Sequence, residues 1–167
     1  MDLYDEIQQV ADQYPVRRSA ILPALRLAQE RYGWLPPEAF REVADALDLT
    51  PAYCEAVASF YDMFHLQPVG RHLVEVCTNI SCALVGAQQT LEALERELGI
   101  KAGETTPSGD VTLRTVECAG GCSWAPVVVV DHRYREPVSA ADVPAIVAEL
   151  RPGGGEGDGA GEDGHVG

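Results

Sequence analysis

Two short stretches carry the residues best suited to chemistry: Cys77-Thr78-Asn79-Ile80-Ser81-Cys82 and Cys118-Ala119-Gly120-Gly121-Cys122. Their spacings are C-x4-C and C-x3-C, with thirty-five residues between them. Four thiolates can fill the ligand set of one iron–sulfur cluster or of one structural zinc ion. Zinc knuckles usually use the shorter C-x2-C spacing, and a dithiol oxidoreductase of the thioredoxin type requires it. The loop contents favour the cluster. Gly120-Gly121 lets the backbone curl closely around an anion, and Cys82 opens a predicted helix whose N-terminal N–H groups favour thiolate. A 2Fe–2S cluster with four thiolates is itself net negative, so such donors matter. The spacing therefore points to one 2Fe–2S cluster on Cys77, Cys82, Cys118 and Cys122 that passes single electrons, with a zinc-stabilised interaction module as the rival.

The remaining candidates are weaker. Cys54 lies in an apolar helical stretch with no cysteine near it and reads as a small buried hydrophobe. His65 and His72 have no metal-like spacing and read as boundary or surface residues, and His165 reads as a tail residue. There is no G-x-G-x-x-G after a strand and no Walker A sequence, so nothing in the chain reads as a nucleotide site. No Ser-His-Asp or paired-carboxylate arrangement stands out either. The chain has no self-sufficient catalytic site.

The elements that must position the cysteines form two groups. Residues 1–68 read as a helical region. An amphipathic stripe runs from Asp2 to Tyr14 and stops at Pro15, and a second helix spans Ile21 to Tyr32 with Ser19 as its cap and Gly33 at its end. Pro36-Pro37 starts a third helix, Glu38 to Leu47. Thr50-Pro51 starts a fourth, which carries Val57, Phe60, Tyr61 and Phe64. Pro68-Val69-Gly70 marks the boundary.

Residues 69–151 change period. His72–Val76 and Val111–Val116 read as strands that flank a helix from Cys82 to Leu98, so these two strands are expected to be parallel. Pro126–Asp131 reads as a third strand, antiparallel to its predecessor, with a short extra strand near Tyr134. A last helix runs from Ser139 to Leu150, with Asp142 in a capping-box position and Pro144 awkwardly placed. The order is β-α-β-β-α, an α+β fold in which both cysteine loops leave one edge of the sheet. Residues 152–167 are acidic and Gly-rich and read as a disordered tail.

Composition bounds the function. The 167 residues carry 26 acidic and 12 basic side chains, a net charge of −14, which offers no phosphate-neutralising surface and excludes nucleic acid as a partner. The longest apolar runs fall far short of a membrane span, so no direct membrane insertion is expected. The acidic start, Met1-Asp2-Leu3-Tyr4-Asp5-Glu6, predicts no targeting peptide. Five cysteines in a chain without an export signal fit metal or redox chemistry better than a disulfide framework.

The chain closely resembles the family of thioredoxin-like 2Fe–2S subunits of bacterial NADH:quinone oxidoreductase (respiratory complex I). The matching stretches include Ile21-Leu22-Pro23-Ala24-Leu25, Gly33-Trp34-Leu35-Pro36, Ala56-Val57-Ala58-Ser59-Phe60-Tyr61, Val76-Cys77-Thr78-Asn79, Val116-Glu117-Cys118 and Ala125-Pro126-Val127. The resemblance implies a helical region followed by a thioredoxin-like ferredoxin domain, with Cys77, Cys82, Cys118 and Cys122 as ligands of one 2Fe–2S cluster. It implies docking onto a larger flavin- and NADH-binding subunit of the same complex, among other complex I subunits, on the cytoplasmic side of the membrane. Electrons would be exchanged with the partner's flavin. Soluble NAD-linked hydrogenases and formate dehydrogenases use similar modules and form the alternative. The chain departs from the pattern where Gly121 replaces a frequent Ala, in the bulky Trp124, and in the added tail.

Overall fold

Local capping chemistry sets out the first helices. In the computed structural model, which describes residues 1–151, the Asp2 side chain accepts a hydrogen bond from the Asp5 N–H, and α1 runs Leu3–Ala11. α2 spans Ile21–Tyr32 and closes on Gly33 at φ +79°, a left-handed conformation that glycine adopts without strain. α3 runs Pro37–Leu47, and α4 runs Pro51–Phe60 behind Thr50, whose hydroxyl accepts from the Tyr53 N–H. These helices belong to one compact unit, residues 1–69. Its core alternates fully buried large residues, Ile7, Leu25, Leu35 and Val43, with alanines such as Ala24, Ala28 and Ala44, so the helices can approach closely.

Three expectations fail in this unit. Ser19 does not cap α2: residues Arg17–Ala20 form a short 3-10 turn that runs directly into it, and Ala20 takes the cap position with no side-chain bond. The fourth helix stops at Phe60, which is 81% exposed, while Phe64 beyond it is buried. His65, read as a boundary or surface residue, is buried as well; its N–H donates to the Gln29 side chain and its carbonyl accepts from Leu35 N–H.

A second unit begins at Gly70. β1 (His72–Cys77) pairs in parallel with β2 (Val111–Val116), each residue from His72↔Val111 to Cys77↔Val116 in register. β3 (Val128–Val130) pairs antiparallel with β1, and β4 (Arg133–Arg135) pairs antiparallel with β3. The strand order is therefore β2-β1-β3-β4. The third strand runs opposite to β2, as expected, but pairs with β1, along the edge of β1 that β2 leaves open. The extra strand near Tyr134 is present. The expected tail, residues 152–167, lies outside the described residues.

The expected helix from Cys82 to Leu98 is two helices, α5 (Ile80–Leu84) and α6 (Ala87–Leu98). Gly86, at φ +106°, breaks the spiral between them. The last helix, α7, covers only Val143–Glu149. Asp142 does reach back to Ser139, accepting from its N–H at 2.8 Å and from its hydroxyl at 2.6 Å, but these bonds close a turn before the helix. Pro144, in the first turn of α7, needs no N–H donor there.

Strand alternation sorts the sheet's side chains. Val74, Val76, Leu113, Val128 and Val130 pack with Leu94 and Val143 in the main core, while Cys77 falls in a second cluster with Cys82, Ala87, Val127 and Val129. Thr90 of α6 is fully buried, and its hydroxyl donates to the Val138 carbonyl at 2.9 Å. Thr90→Val keeps the shape and removes that donor. It is expected to cost about 1–2 kcal/mol, seen as a lower denaturation midpoint with an unchanged slope.

Candidate functional site

Two loops that leave the same edge of the sheet carry the four cysteines, and Cys77, Cys82 and Cys122 lie close enough to influence one another. β1 ends on Cys77 itself, which is 2% exposed. The chain then turns into α5, whose third residue, Cys82, is 1% exposed. β2, parallel to β1, ends at Val116 and delivers Cys118, and a 3-10 turn starts at Cys122. Cys118 and Cys122 are both exposed. The edge is thus two-sided, with one pair of thiols inside and one pair facing solvent.

Contacts tie the loops to each other. The Ala119 N–H donates to Cys77 Sγ at 3.5 Å, linking positions forty-two residues apart. The Cys77 N–H donates to the Val127 carbonyl, and the Thr78 N–H to the Val116 carbonyl. A Cβ at Gly121 would come within 2.9 Å of Val127 Cγ2 and 3.3 Å of Glu136 Oε2, so this glycine lets the second loop lie flat on the Val127 side chain. Gly120 adopts φ +83°, the other conformation that glycine permits here. The Tyr134 hydroxyl, reaching from β4, donates to the Ala119 carbonyl.

The electrostatics separate the two buried thiols. Burial pushes the Cys77 thiol up, but the N–H groups of Ala119 and Asn79 and the neighbouring Cys82 thiol outweigh it and hold Cys77 below its ordinary value. Cys82 moves the other way. Burial raises it, the Val127 N–H offsets part of this, and Cys77 and Cys122 add to the rise. Three of the four thiols therefore interact electrostatically. Thr78 to Leu91 and Cys118 to Val130 contain no Asp, Glu, Lys or Arg, although the whole chain is strongly acidic.

This donor set fits a two-iron cluster. Structural zinc draws four donors to one point. A 2Fe–2S cluster instead spreads four thiolates over two irons, and it accepts hydrogen bonds at its sulfurs. Two loops with N–H groups aimed at sulfur meet that description better.

Cys54 stands apart from the site. It is fully buried in the helical unit, and burial pushes its thiol up to about 11. His72 also lies away from the cysteines, its Nδ1 2.7 Å from Asp131 Oδ2 at the start of β1. Sequence reasoning missed Tyr134 and the Val127 floor as parts of the site. Neither could have been found from spacing: Tyr134 meets the second loop only through the β3–β4 hairpin, and Val127 only through its packing against Gly121.

Known proteins point the same way. The chain is 44% identical over 151 residues to an NADH-quinone oxidoreductase subunit of Rhizobium meliloti, covering 90% of each protein. It is 40% identical to the NADH-quinone oxidoreductase subunit 2 of Thermus thermophilus, over 91% of this chain and 86% of that one. Among solved structures, it is similar to a chain of an NAD+-reducing [NiFe]-hydrogenase in the air-oxidised state, with a TM-score of 0.71 and 25% identity. That match covers 78% of this chain but only 22% of the hydrogenase chain. The model of the thioredoxin-like [2Fe-2S] ferredoxin family matches residues 7–151, which include both helical and sheet units and all four loop cysteines. The chain belongs to this family of α+β electron carriers, whose cofactor is one 2Fe–2S cluster.

Proposed function

We propose that Cys77, Cys82, Cys118 and Cys122 hold the cluster, and that the chain is the electron-transfer subunit of the NADH-oxidising part of an NADH-quinone oxidoreductase. The observation that carries the ligand assignment is the Ala119 N–H bond to Cys77 Sγ, which joins the two cysteine loops at a thiol already biased toward ionisation. When bound, the cluster supplies one-electron transfer at a potential set by its surroundings. The chain's own residues do the rest. Buried Cys77 and Cys82 keep water from one side, and the N–H groups of Ala119, Asn79 and Val127 direct positive charge at thiolate sulfur.

The partner in this reading is a larger flavin- and NADH-binding subunit, with which electrons are exchanged, and the assembly sits on the cytoplasmic side of the membrane. The names of the relatives support the complex, and the absence of any nucleotide fingerprint in this chain supports a separate NADH-binding partner. No helix among the described residues is long and apolar enough to cross a membrane, so attachment would run through other subunits. A soluble NAD-linked hydrogenase is the second reading, favoured by the TM-score of 0.71 to the hydrogenase chain. Neighbouring genes for membrane quinone-reducing subunits support the first reading, and hydrogenase genes in their place support the second.

Purification without oxygen tests the cofactor directly. The protein is expected to be red-brown, with about two irons and two sulfides per chain and an EPR signal on reduction. One zinc per chain and no visible absorption would overturn the electron-transfer reading.

A further inference from the structure

We infer that Tyr134 is a positioning residue for the cluster, acting through Ala119. Ala119 is held from both sides: its N–H donates to Cys77 Sγ, and its carbonyl accepts from the Tyr134 hydroxyl. The rest of the second loop explains why this second bond matters. Gly121 is fixed by packing, since there is no room for a Cβ between it and Val127. Gly120 has nothing within 4 Å of where its Cβ would lie, so no packing holds the chain there. The direction of the Ala119 N–H thus rests on the bond to Cys77 Sγ on one side and on the tyrosine hydroxyl on the other.

Tyr134 itself has little structural reason to sit where it does. It is 52% exposed, and its place in the sheet rests on backbone pairing with Val129, which any side chain would allow. Its hydroxyl nevertheless reaches back fifteen residues to the loop. A donor on the Ala119 carbonyl also polarises the Ala119–Gly120 peptide, making the Gly120 N–H a stronger donor toward negative charge. Both effects stabilise negative charge at the cysteine edge, and reduction makes the cluster more negative. Tyr134 therefore raises the reduction potential.

This inference rests on the ligand assignment proposed above, and the experiment separates the two. Tyr134→Phe keeps the ring and removes the hydroxyl. In the anaerobically purified full chain, its one-electron reduction constant is expected to fall about tenfold, which is ~59 mV downward in an EPR-monitored redox titration. Iron release to a chelator is expected to quicken, and Arg133→Ala, on the same strand, is expected to titrate like the unaltered chain. Should Tyr134→Phe load less iron at unchanged helix content by circular dichroism, the faster release on the loaded fraction still supports the clamp. A potential within about 18 mV of the unaltered chain, a twofold change in the constant, with iron release unchanged, overturns it. If Cys77→Ala and Cys118→Ala lose the cluster while Tyr134→Phe behaves like the unaltered chain, only the Tyr134 inference falls. If the cysteine variants keep the cluster, the ligand assignment falls and takes this inference with it.

Discussion

Cys77→Ala is expected to take the protein from about two irons per chain to almost none, with loss of visible absorption and of the reduced-state EPR signal. The side chain removed sits at the end of the central strand, buried, and accepts the Ala119 N–H that joins the loops. Its removal therefore deletes a ligand and leaves that donor without its sulfur. Cys118→Ala is expected to do the same from the exposed loop. Cys54→Ala is the control. Its thiol is fully buried in the core of the helical unit, which holds no other cysteine, and burial pushes it up to about 11. Iron and sulfide analysis of the three variants, purified side by side, decides the matter. Cluster loss in Cys54→Ala with Cys77→Ala unaffected would show that the assignment is wrong.

The cysteines were readable from sequence because their spacing is local, and each pair follows a short β-branched run that could only be a strand. The same locality made Thr50-Pro51, Pro36-Pro37 and Gly33 dependable as helix boundaries: each acts on the backbone within a turn of itself. Longer-range facts were not readable. Gly86 inside an apolar helical pattern gives no warning that it will adopt φ +106° and split the helix. The placement of β3 beside β1 is a choice between sheet edges, which no periodicity encodes. The opposite shifts of Cys77 and Cys82 depend on burial, which raises Cys82 with help from Cys77 and Cys122, and on the Ala119 N–H, which reaches Cys77 from the other loop and lowers it. Ser19 misled because a hydroxyl ahead of an apolar run is a cap only if the chain before it is extended, and here it is already wound into a 3-10 turn.

Leu94→Ala is expected to be the most damaging single change to the framework that holds the loops. Leu94 is fully buried where α6 packs on the sheet, with Val74, Val76 and Leu113 in the same core. Truncation loses burial and leaves a cavity, at a cost of about 3 kcal/mol. For a chain of this size that lowers the midpoint of thermal unfolding by ~6–12 °C. Circular dichroism gives the midpoint of the fold, and the visible absorption is expected to bleach over the same lowered range. Leu84→Ala is the matched control, the same chemical change on a side chain that is 79% exposed. It is expected to stay within about 0.5 kcal/mol of the unaltered chain. Equal losses in the two variants would mean that α6 does not bear the load given to it here.

The division of the thiols into an inner and an outer pair gives the site a direction in time. Cys118 and Cys122 face solvent while Cys77, Cys82 and Cys54 are shielded. Oxidants and alkylating reagents reach the outer pair first. In protein that has not yet been loaded, peroxide is expected to convert the outer pair to sulfenic acid or a disulfide before the inner pair reacts. Oxidative damage to the site is therefore expected to begin at its outer pair.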